Sequence, residues 1–133
     1  MNYFQLLYPD GSYEERCFKD GAKNGPAKMI GNNGDVFEFC YSDNVMNGPS
    51  KYTWPNGQYE EAVYENGVKH GPGIEVSDTG DTETRTWDNG QLSGPAVVSG
   101  KNGDKMEFNY VQVHLAISNL NQTNFTYIFS FVT

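Results

Sequence analysis

The sequence predicts an all-β, single-domain solenoid of stacked antiparallel β-hairpins with a 23-residue repeat. Three observations predict it: a glycine and proline content that breaks helices, turn signals at a fixed step, and apolar alternation between those turns. The chain holds 15 glycines and 6 prolines in 133 residues. Glycine costs backbone entropy in a helix and proline removes a donor, so a helical bundle is excluded. Aromatic residues make up 14% of the chain, too many for simple disorder even though only 37% of residues are hydrophobic. The length allows one ordinary core and not two.

The repeat is read from four series that share one step. Gly11, Gly34, Gly57, Gly80 and Gly103 stand 23 residues apart. Gly25-Pro26, Gly48-Pro49, Gly71-Pro72 and Gly94-Pro95 keep the same step, as do Gly21, Asn44, Gly67 and Gly90. Asn44 is the one exception in its series, and asparagine is the other residue that tolerates a left-handed backbone. The fourth series is aromatic: Phe18, Tyr41, Tyr64, Trp87 and Tyr110. Repeats at such a period are read before anything else, because they decide the architecture.

Each unit carries two turn signals. One is Asp20-Gly21, Asp43-Asn44, Asn66-Gly67 and Asn89-Gly90; the other is Asp10-Gly11, Asn33-Gly34, Asn56-Gly57, Thr79-Gly80 and Asn102-Gly103. Asn-Gly and Asp-Gly favour tight hairpin turns in which both central residues take positive φ, so both series are expected to be of that kind. Between the turns, Phe37, Phe39 and Tyr41 alternate with Glu38 and Cys40, and Met106, Phe108 and Tyr110 with Glu107 and Asn109. The first and fourth units are more polar (Glu14, Arg16, Phe18; Glu83, Arg85, Trp87), so only the aromatic position is held throughout. The proline of each Gly-Pro step cannot donate to a ladder, which puts it at a strand start, a bulge or an edge. The returning strand is expected to begin after it, as in residues 27–31 or 50–54.

The expected organisation is a half unit at 1–10, full units at 11–33, 34–56, 57–79 and 80–102, and a half unit at 103–112. About three or more stacked units are needed to bury a continuous stripe. Residues 113–133 break the pattern: they contain no Asp, Glu, Lys or Arg and end in an apolar run. Two readings stand for this tail, a strand or two capping the last hairpin, or sequence foreign to the repeat.

Charge and composition exclude several classes. Seventeen acidic against nine basic residues give a net charge of −8, which repels phosphate backbones. No apolar stretch approaches the ~20 residues of a membrane span, and the N-terminus lacks a secretory pattern. Two cysteines make no disulfide framework, so a cytoplasmic or nuclear setting is expected.

These motifs resemble the MORN repeat, a 23-residue unit with Tyr-Glu-Gly, a Trp or Phe, Asn-Gly, and His-Gly-x-Gly steps. The third unit carries Tyr64-Glu65-Asn66-Gly67-Val68-Lys69-His70-Gly71-Pro72-Gly73, and Lys51-Tyr52-Thr53-Trp54-Pro55-Asn56-Gly57 matches the closing strand and turn. The resemblance covers residues 3–112. The unit's Tyr-Glu-Gly glycine is replaced by Arg16, Phe39, Ala62, Arg85 and Phe108, and its tyrosine by Glu14, Phe37, Glu60, Glu83 and Met106. The resemblance implies a scaffold or protein-interaction module, with peripheral membrane or phospholipid association as the alternative that the charge disfavours. The Asn24-Gly25-Pro26-Ala27 and Ser93-Gly94-Pro95-Ala96 steps are similar to the repeat region ahead of the catalytic domain in SET-type histone-lysine methyltransferases. That catalytic half is not in this chain, so no methyl transfer is expected of it.

Candidate sites are few. Glu15, Glu38, Glu61 and Glu107 form an acidic row opposite the aromatic series, either a solvated face or a docking stripe for a basic, histone-like tail. The aromatic series itself reads as a buried seam. His70 stands where other units have Asn24, Asn47 and Ser93, which favours a structural polar residue over a catalytic one; His114 has no partner. Cys17 and Cys40 share a repeat position two strands apart, roughly 10 Å by sheet spacing, which favours free thiols. No catalytic residue, cofactor or metal is expected.

Overall fold

The computed structural model describes residues 2–115 and 123–132, with side chains across 2–111. Fifteen strands form one antiparallel sheet. Eleven of them neighbour one another in chain order: β1 (Asn2–Leu7), β2 (Tyr13–Lys19), β4 (Gly25–Ile30), β5 (Val36–Ser42), β7 (Gly48–Thr53), β8 (Tyr59–Glu65), β10 (Gly71–Val76), β11 (Thr82–Asp88), β13 (Gly94–Ser99), β14 (Lys105–Leu115) and β15 (Thr123–Val132). Four two-residue strands, β3 (Ala22–Lys23), β6 (Val45–Met46), β9 (Val68–Lys69) and β12 (Gln91–Leu92), fold back on the strand before them. No described residue is helical. The expected meander of hairpins is the observed architecture.

The two turn series differ, which corrects the expectation that both are tight turns with two positive φ angles. Asp20-Gly21, Asp43-Asn44, Asn66-Gly67 and Asn89-Gly90 do have positive φ at both residues. In the other series only the glycine does, as at Gly34 (φ 94°). There the loop spans three residues, closed by Gly31 N–H to the Asp35 carbonyl (2.9 Å) and Gly34 N–H to the Gly31 carbonyl (3.0 Å). The preceding side chain supplies the remaining acceptor: Asn33 Oδ1 takes the Asp35 N–H at 3.0 Å, and Asn56 and Asn102 do the same for Gln58 and Asp104. That local bond holds the asparagine outside the left-handed region and gives the three-residue hairpin with a glycine bulge.

The Gly-Pro step explains why each return strand is split. Pairing starts directly after the turn, earlier than the sequence suggested: Lys19 pairs with Ala22 and Phe18 with Lys23, and Asn24 N–H reaches the Cys17 carbonyl at 2.9 Å. It resumes with Glu15 against Lys28, so Arg16 alone faces Gly25, Pro26 and Ala27. Pro26 has no N–H to give β2, and the bulge hands that role to Asn24. Gly25 makes the excursion with φ 89°, a conformation open to glycine without steric cost. The same bond recurs from Asn47 to Cys40, His70 to Val63 and Ser93 to Thr86.

Register and alternation define two faces. One carries the aromatic series, with Ala27 opposite Phe39, Ser50 opposite Ala62, Gly73 opposite Arg85 and Ala96 opposite Phe108. These rows hold the most buried side chains, Phe39 and Phe108 among them at 5% exposure. The other face carries the prolines. β14 runs without a break past residue 112 and pairs with β15 over ten positions, so 123–132 forms the terminal strand. The rest of the tail reading, at 116–122 and 133, lies outside the described residues.

Candidate functional site

The proline face holds the acidic row expected from the sequence, and the fold interleaves it. Lys28 pairs with both Glu15 and Glu38, and Lys51 with both Glu38 and Glu61. Beyond Glu61 the row continues as Ile74, Thr84, Val97 and Glu107. Each return strand inserts its own residue between successive glutamates, so the first half alternates in charge and the second is mainly apolar or neutral. Glu38 has a lysine on each side, whereas Glu61 has one lysine and one isoleucine.

Beside this row lies an open trough of about 750 Å³ spanning three units. Pro26, Pro49 and Pro72 line it with Val63 and Ile74, and Glu38, Lys51 and Glu61 enter from the charged row. The three prolines are exposed, because each sits in a bulge on the face away from the aromatic rows.

The aromatic face is filled. Arg16, Phe39, Ala62, Arg85 and Phe108 stand where the standard unit has glycine, and three of them are among the buried residues. The aromatic series, expected as a buried seam, is so only at Tyr110; Phe18, Tyr41, Tyr64 and Trp87 are half-buried, because a single-layer sheet puts no second layer over them. The short strands reach across to it: Lys23 Nζ lies 4.6 Å from the Tyr41 ring centre and Lys69 Nζ 4.5 Å from Trp87, while Leu92 packs against the Phe108 and Tyr110 cluster.

A charge network occupies the same face. The Arg85 side chain, 9% exposed, contacts Glu60, Glu75 (2.7 Å) and Glu83 (2.9 Å), and Lys69 also binds Glu60. Burial lowers the Arg85 pKa, but the Glu83 hydrogen bond and the three carboxylates outweigh it and the net shift is upward. Tyr110 donates to Glu83 Oε2 at 3.0 Å, and burial followed by that bond pushes its pKa up to about 12. Sequence reasoning missed this network, although the Glu-x-Arg pairs at 14–16 and 83–85 were its signal. By alternation each pair shares one face.

The remaining candidates serve the stacking of units. His70 Nδ1 accepts the Asn89 N–H at 3.2 Å, as Asn24 Oδ1 accepts Asp43 N–H and Asn47 Oδ1 accepts Asn66 N–H, both at 2.9 Å. Asn44 adds a bond from its Oδ1 to the Lys23 N–H (2.9 Å), while its own N–H donates to the Lys23 carbonyl. Its place in a glycine series is thereby used. Cys17 and Cys40 are free thiols. His114 lies in β14, its side chain outside the described ones. Among the described residues no cluster of His, Cys, Asp and Glu could hold a metal ion, and no helix is long and apolar enough to cross a membrane.

The MORN repeat family matches the chain at residues 17–36, 40–59, 61–82 and 86–105, together more than half of it. No curated protein matches the sequence. A solved chain from the structural analysis of the G-box domain of the microcephaly protein CPAP is similar at 18% identity. The alignment covers 92% of this chain and 97% of that one, with a TM-score of 0.23.

Proposed function

The chain belongs to the MORN-repeat family, and on that premise we propose that it acts as a non-catalytic protein-interaction module. MORN repeats are generally protein- or membrane-interaction modules. The observation that carries the protein reading is the open trough on the proline face, apolar along Pro26, Pro49 and Pro72 and bordered by charge. Such a surface suits an extended segment that seats apolar side chains between the prolines and a basic one beside Glu61, the trough carboxylate with a single lysine neighbour. The aromatic face is the poorer candidate, since its central positions are filled.

Crosslinking in a cell lysate, followed by mass spectrometry, tests this with three chains: the wild type, Val63→Asp with Ile74→Asp, and Glu61→Lys. The expected outcome is one or more partners lost by both variants while their circular dichroism is unchanged. Partners captured equally by all three would remove the trough from the proposal. The net charge of −8 speaks against anionic membranes; salt-sensitive, saturable binding to anionic vesicles would favour the lipid alternative. The Gly25-Pro26-Ala27 and Gly94-Pro95-Ala96 steps support a relation to the repeat region of a SET-type lysine methyltransferase. Transcript sequence encoding a SET domain after residue 112 would bear that out. Turnover of a labelled methyl donor on histone peptides by this chain would sink the non-catalytic reading.

A further inference from the structure

We infer that β1 is a self-complementary edge through which two copies of this chain join into one continuous sheet. Among the described strands β1 pairs only with β2 and stands outermost on its side of the sheet. All six of its residues are exposed, including Tyr3 at 61%, Phe4 at 50% and Leu7 at 76%. It contains no lysine, no proline and no charge of either sign, the devices by which edge strands are normally kept from pairing.

The direction of its backbone groups follows from the hairpin that ends it. Tyr8 N–H donates to the Ser12 carbonyl at 3.0 Å, which makes Tyr8 and Ser12 a hydrogen-bonded pair. In an antiparallel ladder such pairs alternate. Leu6, Phe4 and Asn2 therefore turn their N–H and C=O groups toward β2, opposite Glu14, Arg16 and Phe18. Leu7, Gln5 and Tyr3 turn theirs outward, to the open edge.

A second β1 laid antiparallel about a two-fold axis through Gln5 satisfies those groups. Gln5 meets Gln5, and Tyr3 meets Leu7 twice, giving three hydrogen-bonded pairs and six new bonds. The side chains agree on both faces. Tyr3 packs against Leu7 of the second copy on the proline face, and Phe4 against Leu6 on the aromatic face. Shifting the register by two residues sets Gln5 opposite Tyr3 or Leu7 and loses that match. Phe4 and Leu6 also line, with Arg16 and Phe18, a shallow trough of about 430 Å³ that reaches this edge; the second copy extends its apolar lining. A contact of this kind closes on itself with two-fold symmetry, so it stops at two copies. Because β1 is uncharged while each chain carries −8, added salt screens the repulsion between copies and does not weaken the join.

Sedimentation equilibrium on the 133-residue chain across a concentration series tests the inference. The expected result is a mass rising from 14.9 kDa to twice that value and no further, with a midpoint that falls or holds as salt is raised. Gln5→Pro removes one outward N–H and no bond to β2, so it is expected to abolish the dimer while leaving circular dichroism and Tm unchanged. A wild type monomeric throughout, a Gln5→Pro dimer as tight as wild type, or growth beyond two copies would overturn it. Should the proline variant unfold, amide exchange of the wild type decides. Tyr3, Gln5 and Leu7 are expected to slow with concentration, while Phe4 and Leu6 stay protected at every concentration. Exchange at Tyr3, Gln5 and Leu7 that ignores concentration overturns the inference.

Discussion

The second and fourth hairpins share one backbone design and fill it with opposite chemistry. In the second, Phe37 stacks on Phe39 at 4.6 Å, Phe39 meets Tyr41 edge-on at 5.1 Å, and Phe37 contacts Tyr64 at 6.3 Å. Two repeats on, the same three positions hold Glu83, Arg85 and Trp87, followed by Tyr110. Each aromatic contact has a polar counterpart: Glu83 pairs with Arg85, Arg85 lies 5.7 Å from the Trp87 ring, and Glu83 accepts from Tyr110. The turns, the Gly-Pro bulge and the register are the same in both. The backbone punctuation therefore specifies the hairpin, and the central position accepts whatever fills the volume and satisfies its own polar atoms.

The comparison breaks most visibly at Arg85. Its replacement by alanine leaves Glu60, Glu75 and Glu83 facing one another with only Lys69 nearby. Removing one partner from a buried ion cluster costs about 3–5 kcal/mol, and urea unfolding should read a loss of that order. Arg16 is the control at the equivalent position. It holds Glu14 alone, with its side chain 23% exposed, so Arg16→Ala should cost about 1 kcal/mol or less. Equal losses at the two arginines would show that the network is not what holds the fourth hairpin.

Phe39 tests the apolar version. Phe39→Ala removes the buried ring between Phe37 and Tyr41 and should cost about 3 kcal/mol, the low end for core phenylalanines because the sheet is a single layer. Phe39→Arg sharpens the point. The positions equivalent to Glu83 and Glu75 are Phe37 and Met29 there, and only Glu14 remains to meet a guanidinium. Arginine at 39 should therefore destabilise more than alanine, although the same residue is native at 16 and 85. An arginine variant as stable as wild type would mean that the position is indifferent to its neighbours.

How much of this was legible in the sequence follows from the kind of interaction. The periodic glycines at 11, 21, 25 and their equivalents are the twelve glycines with positive φ, while Gly31, Gly73 and Gly100, outside the series, have none. Backbone demands of this kind are local and leave a residue-type signature. The second turn series was misread because Asn-Gly fits two hairpin types, and the choice between them rests on a side-chain bond such as Asn33 to Asp35. The acidic row follows from alternation alone, whereas Lys28 and Lys51 between its members do not, because cross-strand neighbours 10 and 13 residues apart are set by register. The Glu60–Arg85 contact spans two strands with β10 between them, and depends on how far each side chain reaches.

Tyr110 offers a smaller effect with a defined pH window. Its pKa is raised to about 12 in the folded chain, by burial and then by the bond to Glu83, against about 10 when unfolded. A raised value means that the folded state holds the proton more tightly. The resulting stability is complete below pH 10 and is lost as pH rises through 12, to a total of about 2.7 kcal/mol. Phenolate absorbance should show a late-titrating step that Tyr110→Phe removes, and that variant should flatten the fall in stability over that window. An unaltered alkaline profile in Tyr110→Phe would assign the loss to other groups.

The smallest effect concerns Gly73, whose equivalents are Ala27, Ser50 and Ala96. Alanine there should gain about 0.4–1 kcal/mol by restricting the unfolded chain, since the residue is in a strand and not at positive φ. Space opposes the gain. A Cβ at 73 would stand 3.0 Å from the Glu61 carbonyl oxygen and 3.3 Å from Trp87 Nε1. The other units accept the methyl beside tyrosines at 41, 64 and 110, and only this hairpin carries the wider indole. Gly73→Ala should therefore lose about 1 kcal/mol in the native background and little or nothing beside Trp87→Tyr. A double-mutant cycle measures that coupling. Purely additive losses would shift the cause from the indole to the Glu61 carbonyl, and the two-chemistry reading of the hairpins would then not extend to this row.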